Sequence, residues 1–193
     1  EGWHITYRNI PIHVQAVGRH NLMNALWAIS IAQAPGARPE DIAEGFERFV
    51  SIPGRSRIVE GPVTVIEDCY NSSVDSTSTI LDYMALLPWN GHKRAVLGSM
   101  KELGTTTEEA HRQVARKLIS CGIDDMYLYG KEMESAWDEM RKLGIADRVF
   151  YTDDYEVLQR RILEDARKGD LVLVKGSRAM AMERLIPVIT TIA

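Results

Sequence analysis

Residues 61–76 read GPVTVIEDCYNSSVDS. Val63, Val65 and Ile66 make a short apolar run between Gly61–Pro62 and the polar Asn71–Ser73. That is the pattern of a fully buried strand opening into a loop. Asp75 or Ser76 then supplies an N-cap for a helix beginning near Thr77. Glu67, Asp68, Tyr70 and Asn71 are left at the carboxyl end of the strand, the edge where open α/β sheets bind ligands.

Working outward, the chain from residue 57 alternates strand and helix. Strands are predicted at 63–67, 94–97, 125–129, 148–151 and 171–175, and helices at 76–87, 107–120, 131–143, 154–167 and 178–189. Apolar residues in the helices fall at 80/84/87, 114/118 and 158/162, the spacing of one face packed on a sheet. This alternation predicts an α/β fold, a Rossmann-like, mostly parallel sheet with helices on both faces and right-handed crossovers.

Upstream the rhythm differs. Strands are predicted at 5–7 and 10–17, then a helix at 18–34. Met23, Ala25 and Trp27 make that helix apolar beyond the face of Leu22, Leu26 and Ile29, so it reads as buried. Its first turn carries His20, Asn21 and Asn24; from the residues alone, Asn21 caps the helix and His20 is a satisfied core histidine. A second helix is predicted at 39–49, with Glu40 and Asp41 in its first turn. The Pro53–Gly54 turn marks a boundary, dividing the chain into domains 1–53 and 54–193.

The 193 residues are 45% hydrophobic and 26% charged, ordinary for a soluble globular protein. A net charge of −4 argues against a nonspecific nucleic-acid binder. Cys69 and Cys121 lie far apart without metal-ligand spacing, so a reducing, cytoplasmic setting and no metal site are expected. No apolar run reaches membrane-spanning length. The chain starts without Met inside a predicted strand, and is expected to be a fragment.

Four loops converge on the carboxyl edge: 68–73, 98–104 (GSMKELG), 130–131 and 175–178 (KGSR). Gly176 permits close backbone approach, Ser177 can cap the helix that follows, and Lys175 and Arg178 add two cations beside its N-terminus. Ordinary solvated charges at a turn are the other reading of Lys175 and Arg178. Asp68 can accept from a ribose hydroxyl without supporting the core, or simply form an Asx turn. Glu67 belongs to the strand, His111 reads as exposed, and Cys69, flanked by acids, is no nucleophile. Tyr127, Tyr129, Trp137 and Tyr151 read as core. No GxxxxGK[ST] or GxGxxG occurs, so a triphosphate cradle, if one is used, must lie upstream of residue 1.

Together these segments resemble the Mur ligases. GRHNLMNALWAISIA (18–32) is similar to the G-x-HN-x-x-NA-x-AA helix near the end of their central ATPase domain, and PGR (53–55) to the interdomain linker. EDCYNSSVDS resembles the D-x-YNANP-x-S loop, VLGSMKELG (96–104) resembles VLGDMxELG with a His several residues on, and LVLVKGSRAMAME (171–183) resembles LVKGSR-x-x-x-ME. The last three point to the branch that adds D-Ala-D-Ala to UDP-MurNAc-tripeptide.

The resemblance implies the end of a central ATPase domain followed by a whole carboxyl-terminal domain. The activity implied is an ATP- and Mg²⁺-dependent amide ligase of peptidoglycan synthesis, acting through an acyl phosphate, cytoplasmic and monomeric. It also implies ATP contacts at His20, Asn21, Asn24, Arg55 and Asp68. Dipeptide or substrate contacts are implied at Tyr70, Asn71, Ser76, Ser99, His111, Lys175, Ser177 and Arg178; it assigns no catalytic residue. Ser73, Val74 and Ser99 depart from the family's Asn, Pro and Asp. Without a phosphate loop or the central domain's metal and carbamylated-lysine sites, the fragment alone is expected to be inactive. A noncatalytic flavodoxin-like nucleotide-binding module is the alternative; a dehydrogenase domain lacks its glycine fingerprint.

Overall fold

The computed structural model describes residues 2–192. The chain divides into two compact units, Glu1–Ile52 and Pro53–Ala193.

In the first unit, β1 (Trp3–Tyr7) and β2 (Ile10–Val14) pair antiparallel. Arg8 and Asn9 between them both take positive φ (46° and 68°), as a two-residue primed hairpin turn requires. Helix α1 (Arg19–Gln33) and helix α2 (Pro39–Glu47) follow, α2 with proline at its first position. Ile12, Val14, Ala25, Ile29 and Ile42 form the core of the unit. The expectation that α1 is buried all round is overturned. Only Ala25 and Ile29 are buried in it, while Met23, Leu26, Trp27 and Ile31 are exposed. An apolar sequence reports surface that can be covered, and this chain covers one narrow stripe of it.

The second unit is a six-stranded sheet in the order β3-β4-β8-β5-β6-β7. Its strands are β3 (Arg57–Val59), β4 (Thr64–Asp68), β5 (Lys93–Gly98), β6 (Asp125–Tyr129), β7 (Val149–Thr152) and β8 (Leu171–Lys175). All neighbours are parallel except β3, an antiparallel edge strand on β4 that the sequence reading did not anticipate. The intervening helices are α3 (Val74–Leu86), α4 (Thr107–Ser120), α5 (Glu134–Lys142) and α6 (Tyr155–Asp165). Val65, Val96, Tyr127, Val172 and Val174 pack with Leu158 and Ile162 of α6 and with the C-terminal segment. Their strand neighbours Ile66, Leu97, Leu128 and Leu173 are also buried and by alternation point to the other face. There α3, α4 and α5 lie side by side. Both faces are covered, which is why the strands read as continuous apolar runs.

Three details correct the sequence reading. Ser73, not Asp75 or Ser76, caps α3, in a capping box where Ser73 Oγ accepts from the Ser76 N–H and Ser76 Oγ from the Ser73 N–H. Residues 178–189 are not one helix but 3₁₀ turns at Arg178–Met180 and Met182–Leu185, then α7 (Ile186–Ile189). Ala181 between the turns is left-handed (φ 47°), which a continuous helix cannot hold. Of the four aromatics expected in the core, Tyr127 is buried (1% exposed); Tyr129, Trp137 and Tyr151 are half-buried.

Candidate functional site

The carboxyl edge of the sheet collects the ends of β4, β8, β5 and β6, and in-register pairing sets Asp68 beside Lys175. Lys175 is 2% exposed, so it is not a solvated charge. Its Nζ donates to Asp68 Oδ2 (2.7 Å) and to the Asn71 carbonyl (3.0 Å). Asp68 Oδ1 accepts from the Ser56 N–H (2.9 Å) and Ser56 Oγ (3.1 Å). Asp68 is thus a structural junction, contrary to the expectation that it leaves the core unsupported. Both its oxygens are engaged, with three of the carboxylate's roughly four acceptor sites taken. A buried pair survives only when its remaining hydrogen-bonding capacity is met, and Ser56 and Asn71 meet it.

In front of this junction lies Arg55. Its guanidinium sits 4.1 Å above the Tyr70 ring centroid, and both residues are exposed. Arg55 has no ion pair among the described residues, so it is a cation held in place with its charge available. The Tyr70 N–H donates to the Gly54 carbonyl (2.9 Å), tying residues 54–56 to the loop after β4. Asn71 is exposed, its Oδ1 accepting from the Ser72 N–H (2.8 Å), and Ser76 is exposed but engaged in the α3 cap.

The loop after β5 is pinned from behind. His111, expected to be exposed, is fully buried. Its Nε2 accepts from the Met100 N–H (3.0 Å), so its Nδ1 carries the proton donated to the Thr107 carbonyl (2.7 Å). Burial pushes its pKa down, keeping it neutral. Its side chain is enclosed, and so is that of Ser99, which has no exposed surface and whose N–H donates to the Tyr129 carbonyl (2.9 Å). Gly130 beside it has φ 103°, and a Cβ there would lie 2.5 Å from Ser99 Oγ. Ser177 is buried as well; it makes no side-chain cap, and instead Ser177 Oγ accepts from the Lys101 N–H (2.8 Å). With only a 3₁₀ turn behind it, KGSR has no helix N-terminus for an anion. Arg178 is exposed and paired with Glu183 (3.1 Å).

Sequence reasoning missed Ser56 and the pair Lys101–Glu132. Burial alone would raise the Glu132 pKa, but hydrogen bonds led by that from Lys101 hold it at about 2. The GSMKELG loop and the lysine-bearing turn after β6 were visible signals, but their pairing across 31 residues was not. Glu67 is a strand residue as read, paired with Arg57 (2.6 Å). Cys69 is 1% exposed and its thiol, through burial and then the Glu67 charge, is pushed up to about 12, which leaves no nucleophile.

In the first unit, the Asn21 Nδ2 donates back to the Val17 carbonyl (2.8 Å), and Gly18 is the N-cap, without a side-chain cap bond. Asn21 is therefore not the cap. His20 is exposed rather than core, and Asn24, also exposed, donates to Asn21 Oδ1 (3.4 Å).

Residues 54–178 match the family described as Mur ligase, glutamate ligase domain. The chain is 36% identical over 191 residues to the UDP-N-acetylmuramoyl-tripeptide–D-alanyl-D-alanine ligase of Treponema pallidum, covering 97% of this chain and 41% of that protein. To the Bacillus subtilis ligase of the same name it is 33% identical, covering 96% and 42%. The chain thus spans about two fifths of the length of these relatives. A crystal structure of MurF from Acinetobacter baumannii superposes with a TM-score of 0.82 at 23% identity, covering 94% of this chain and 40% of that one. MurF ligase from Thermotoga maritima in complex with ADP gives 0.77 at 24%, covering 97% and 42%. These two likenesses are of fold.

Proposed function

The chain belongs to the Mur ligase family, and from that premise we propose that it is the carboxyl-terminal part of an ATP-dependent ligase joining D-Ala-D-Ala to UDP-MurNAc-tripeptide. What supports this reading is one observation: likeness to ligases of that name runs through nearly the whole chain, both units included. On this reading residues 1–53 end a central ATP-binding domain and 54–193 are the closing domain. On the same reading the enzyme works as a cytoplasmic monomer. No helix among the described residues is long and apolar enough to cross a membrane.

The residues fit a nucleotide in part. Arg55 and Tyr70 offer an unpaired cation on an aromatic platform, suited to a phosphate or a flat base. ATP, when bound, supplies the phosphoryl group that activates the tripeptide carboxylate. Arg55 orients and neutralises that anionic chemistry, and the pinned loops after β4 and β5 shape the floor that excludes water. Asn71 and Arg178, both exposed, remain available to the dipeptide; Ser99, His111, Lys175 and Ser177 act from behind the surface. A metal is a different matter. Among the described residues no group of three His, Cys, Asp or Glu side chains is arranged to hold one. Lacking a GxxxxGK[ST] loop, the 193-residue chain carries no turnover of its own.

The test is phosphate release by the full-length protein given ATP, UDP-MurNAc-tripeptide and one acceptor at a time. Release with D-Ala-D-Ala and not with L-Ala, D-Glu or a diamino acid is expected. Release that prefers another acceptor would move the chain to a different branch, and nucleotide binding without release under any acceptor would favour the noncatalytic module.

A further inference from the structure

Lys175 ends β8, buried, while Arg55 is an exposed cation at this edge. The two are connected. Lys175 Nζ reaches Asp68 and the Asn71 carbonyl, one on each side of Tyr70 in the chain; Asp68 reaches the backbone and hydroxyl of Ser56, next to Arg55. The Arg55–Tyr70 pair is therefore held at both its roots by one ammonium group and one carboxylate. Ser56 adopts a left-handed conformation (φ 49°), strained for a non-glycine residue, and its two hydrogen bonds to Asp68 hold it there. That turn aims Arg55 back over the ring.

We propose that Lys175 is a positioning residue: through Asp68, Asn71 and Ser56 it holds the Arg55–Tyr70 pair ready for an anionic ligand of the nucleoside-phosphate class, and touches no substrate. This rests on the functional reading above and changes one part of it, since the resemblance puts Lys175 on the dipeptide. A buried ammonium with two short oxygen contacts has little capacity left for a ligand carboxylate. A direct contact and a positioning role make different predictions. Loss of a direct dipeptide contact raises the dipeptide KM. Loss of a positioning lysine weakens the ligand that Arg55 meets, and only while Arg55 is there to be positioned.

The experiment is a double-mutant cycle in the full-length enzyme, with ATP and D-Ala-D-Ala varied separately. Lys175→Met is expected to raise the ATP KM about tenfold, with the dipeptide KM changed less than about twofold. In the Arg55→Ala background the same substitution should change the ATP KM by less than about twofold, a coupling well above the roughly twofold at which sites count as interacting. Equal effects in both backgrounds, or a rise confined to the dipeptide KM, would overturn the proposal. Should Lys175→Met fail to fold, Asp68→Asn/Lys175→Met removes the charge imbalance, keeps an acceptor for Ser56, and gives the same reading. A second readout does not depend on ligase activity. In the 193-residue chain, the Arg55 Cδ protons should carry an upfield NMR shift from the Tyr70 ring, and the substitution should collapse it. An unchanged shift refutes the positioning role. If the full-length protein shows no ligation, the functional reading fails while this shift still decides the role of Lys175.

Discussion

His111→Leu should destabilise the second unit without touching its surface. Leucine approximately fills the imidazole volume, so the cost comes mainly from hydrogen bonds. The Met100 N–H loses its acceptor at 3.0 Å in a place with no water access, whereas the Thr107 carbonyl keeps its helical position. One orphaned buried donor costs about 1–3 kcal/mol, or roughly 2–12 °C in melting temperature for a domain of this size. The penalty has a pH signature. Burial holds the His111 pKa below its ordinary value; the Thr107 hydrogen bond and the Glu132 charge oppose this, and Lys101 reinforces it. The folded pKa lies below the unfolded one of about 6.5, so the unfolded state takes up the proton first. The stabilisation by neutral His111 is full above that value and declines as pH falls, by at most about 1.4 kcal/mol per unit. Leucine has no such loss. Urea unfolding followed by circular dichroism at about pH 8 and about pH 5.5 should show the gap between wild type and variant narrowing at the lower pH. A gap that is constant or widens on acidification refutes the buried neutral tautomer; no gap at pH 8 refutes the pin itself.

Other expectations follow from the same geometry. Asp68→Ala strands the Lys175 ammonium, and breaking such a pair costs about 3–5 kcal/mol; thermal melting should fall sharply, and a melting point equal to wild type would return Asp68 to a purely ligand-facing role. Arg94 (6% exposed) ties Asp170, Asp125 and the Tyr127 hydroxyl together at the opposite edge of the sheet. Arg94→Met should lower stability by a similar amount, with partial recovery in Arg94→Met/Asp170→Asn measured by denaturant titration; equal losses in the single and double variants would count against the pair. Cys69, and Cys121 at 8% exposure, both with thiols raised chiefly by burial, should resist a thiol-reactive chromophore in native buffer and react fully in denaturant; rapid native labelling would contradict their burial.

The parallel sheet was legible because four of its strands are buried on both faces, and a run such as Leu171–Lys175 is too short for a helix. Strand β3 was not, since three residues on an antiparallel edge carry too little pattern. The segment 178–189 misled for the opposite reason. Met182, Leu185, Ile186 and Ile189 keep a helical spacing because the second 3₁₀ turn and the short helix after it present them to the same core. Nothing in the residue types announces that Ala181 is left-handed. At the site, the edge and its loops were readable from strand ends, but the roles within it were not. His111 binds backbone groups, which every residue has, and Lys175 finds its carboxylate 107 residues away. Such partnerships are tertiary, and they bury four residues expected to meet substrate, Ser99, His111, Lys175 and Ser177. On α1 the apolar faces were read correctly as composition and wrongly as burial, because what covers a face is not written in the face itself.

The central claim, that this chain belongs to a D-Ala-D-Ala-adding ligase, is tested most directly by the mass of the product. The full-length protein would be incubated with ATP, UDP-MurNAc-tripeptide and D-Ala-D-Ala, and the nucleotide-sugar product weighed by mass spectrometry. The account predicts a gain of one dipeptide less one water, absent when ATP is omitted and diminished in Arg55→Ala. An unmodified tripeptide after nucleotide-dependent incubation, or a gain matching a different acceptor from a competing mixture, would contradict it.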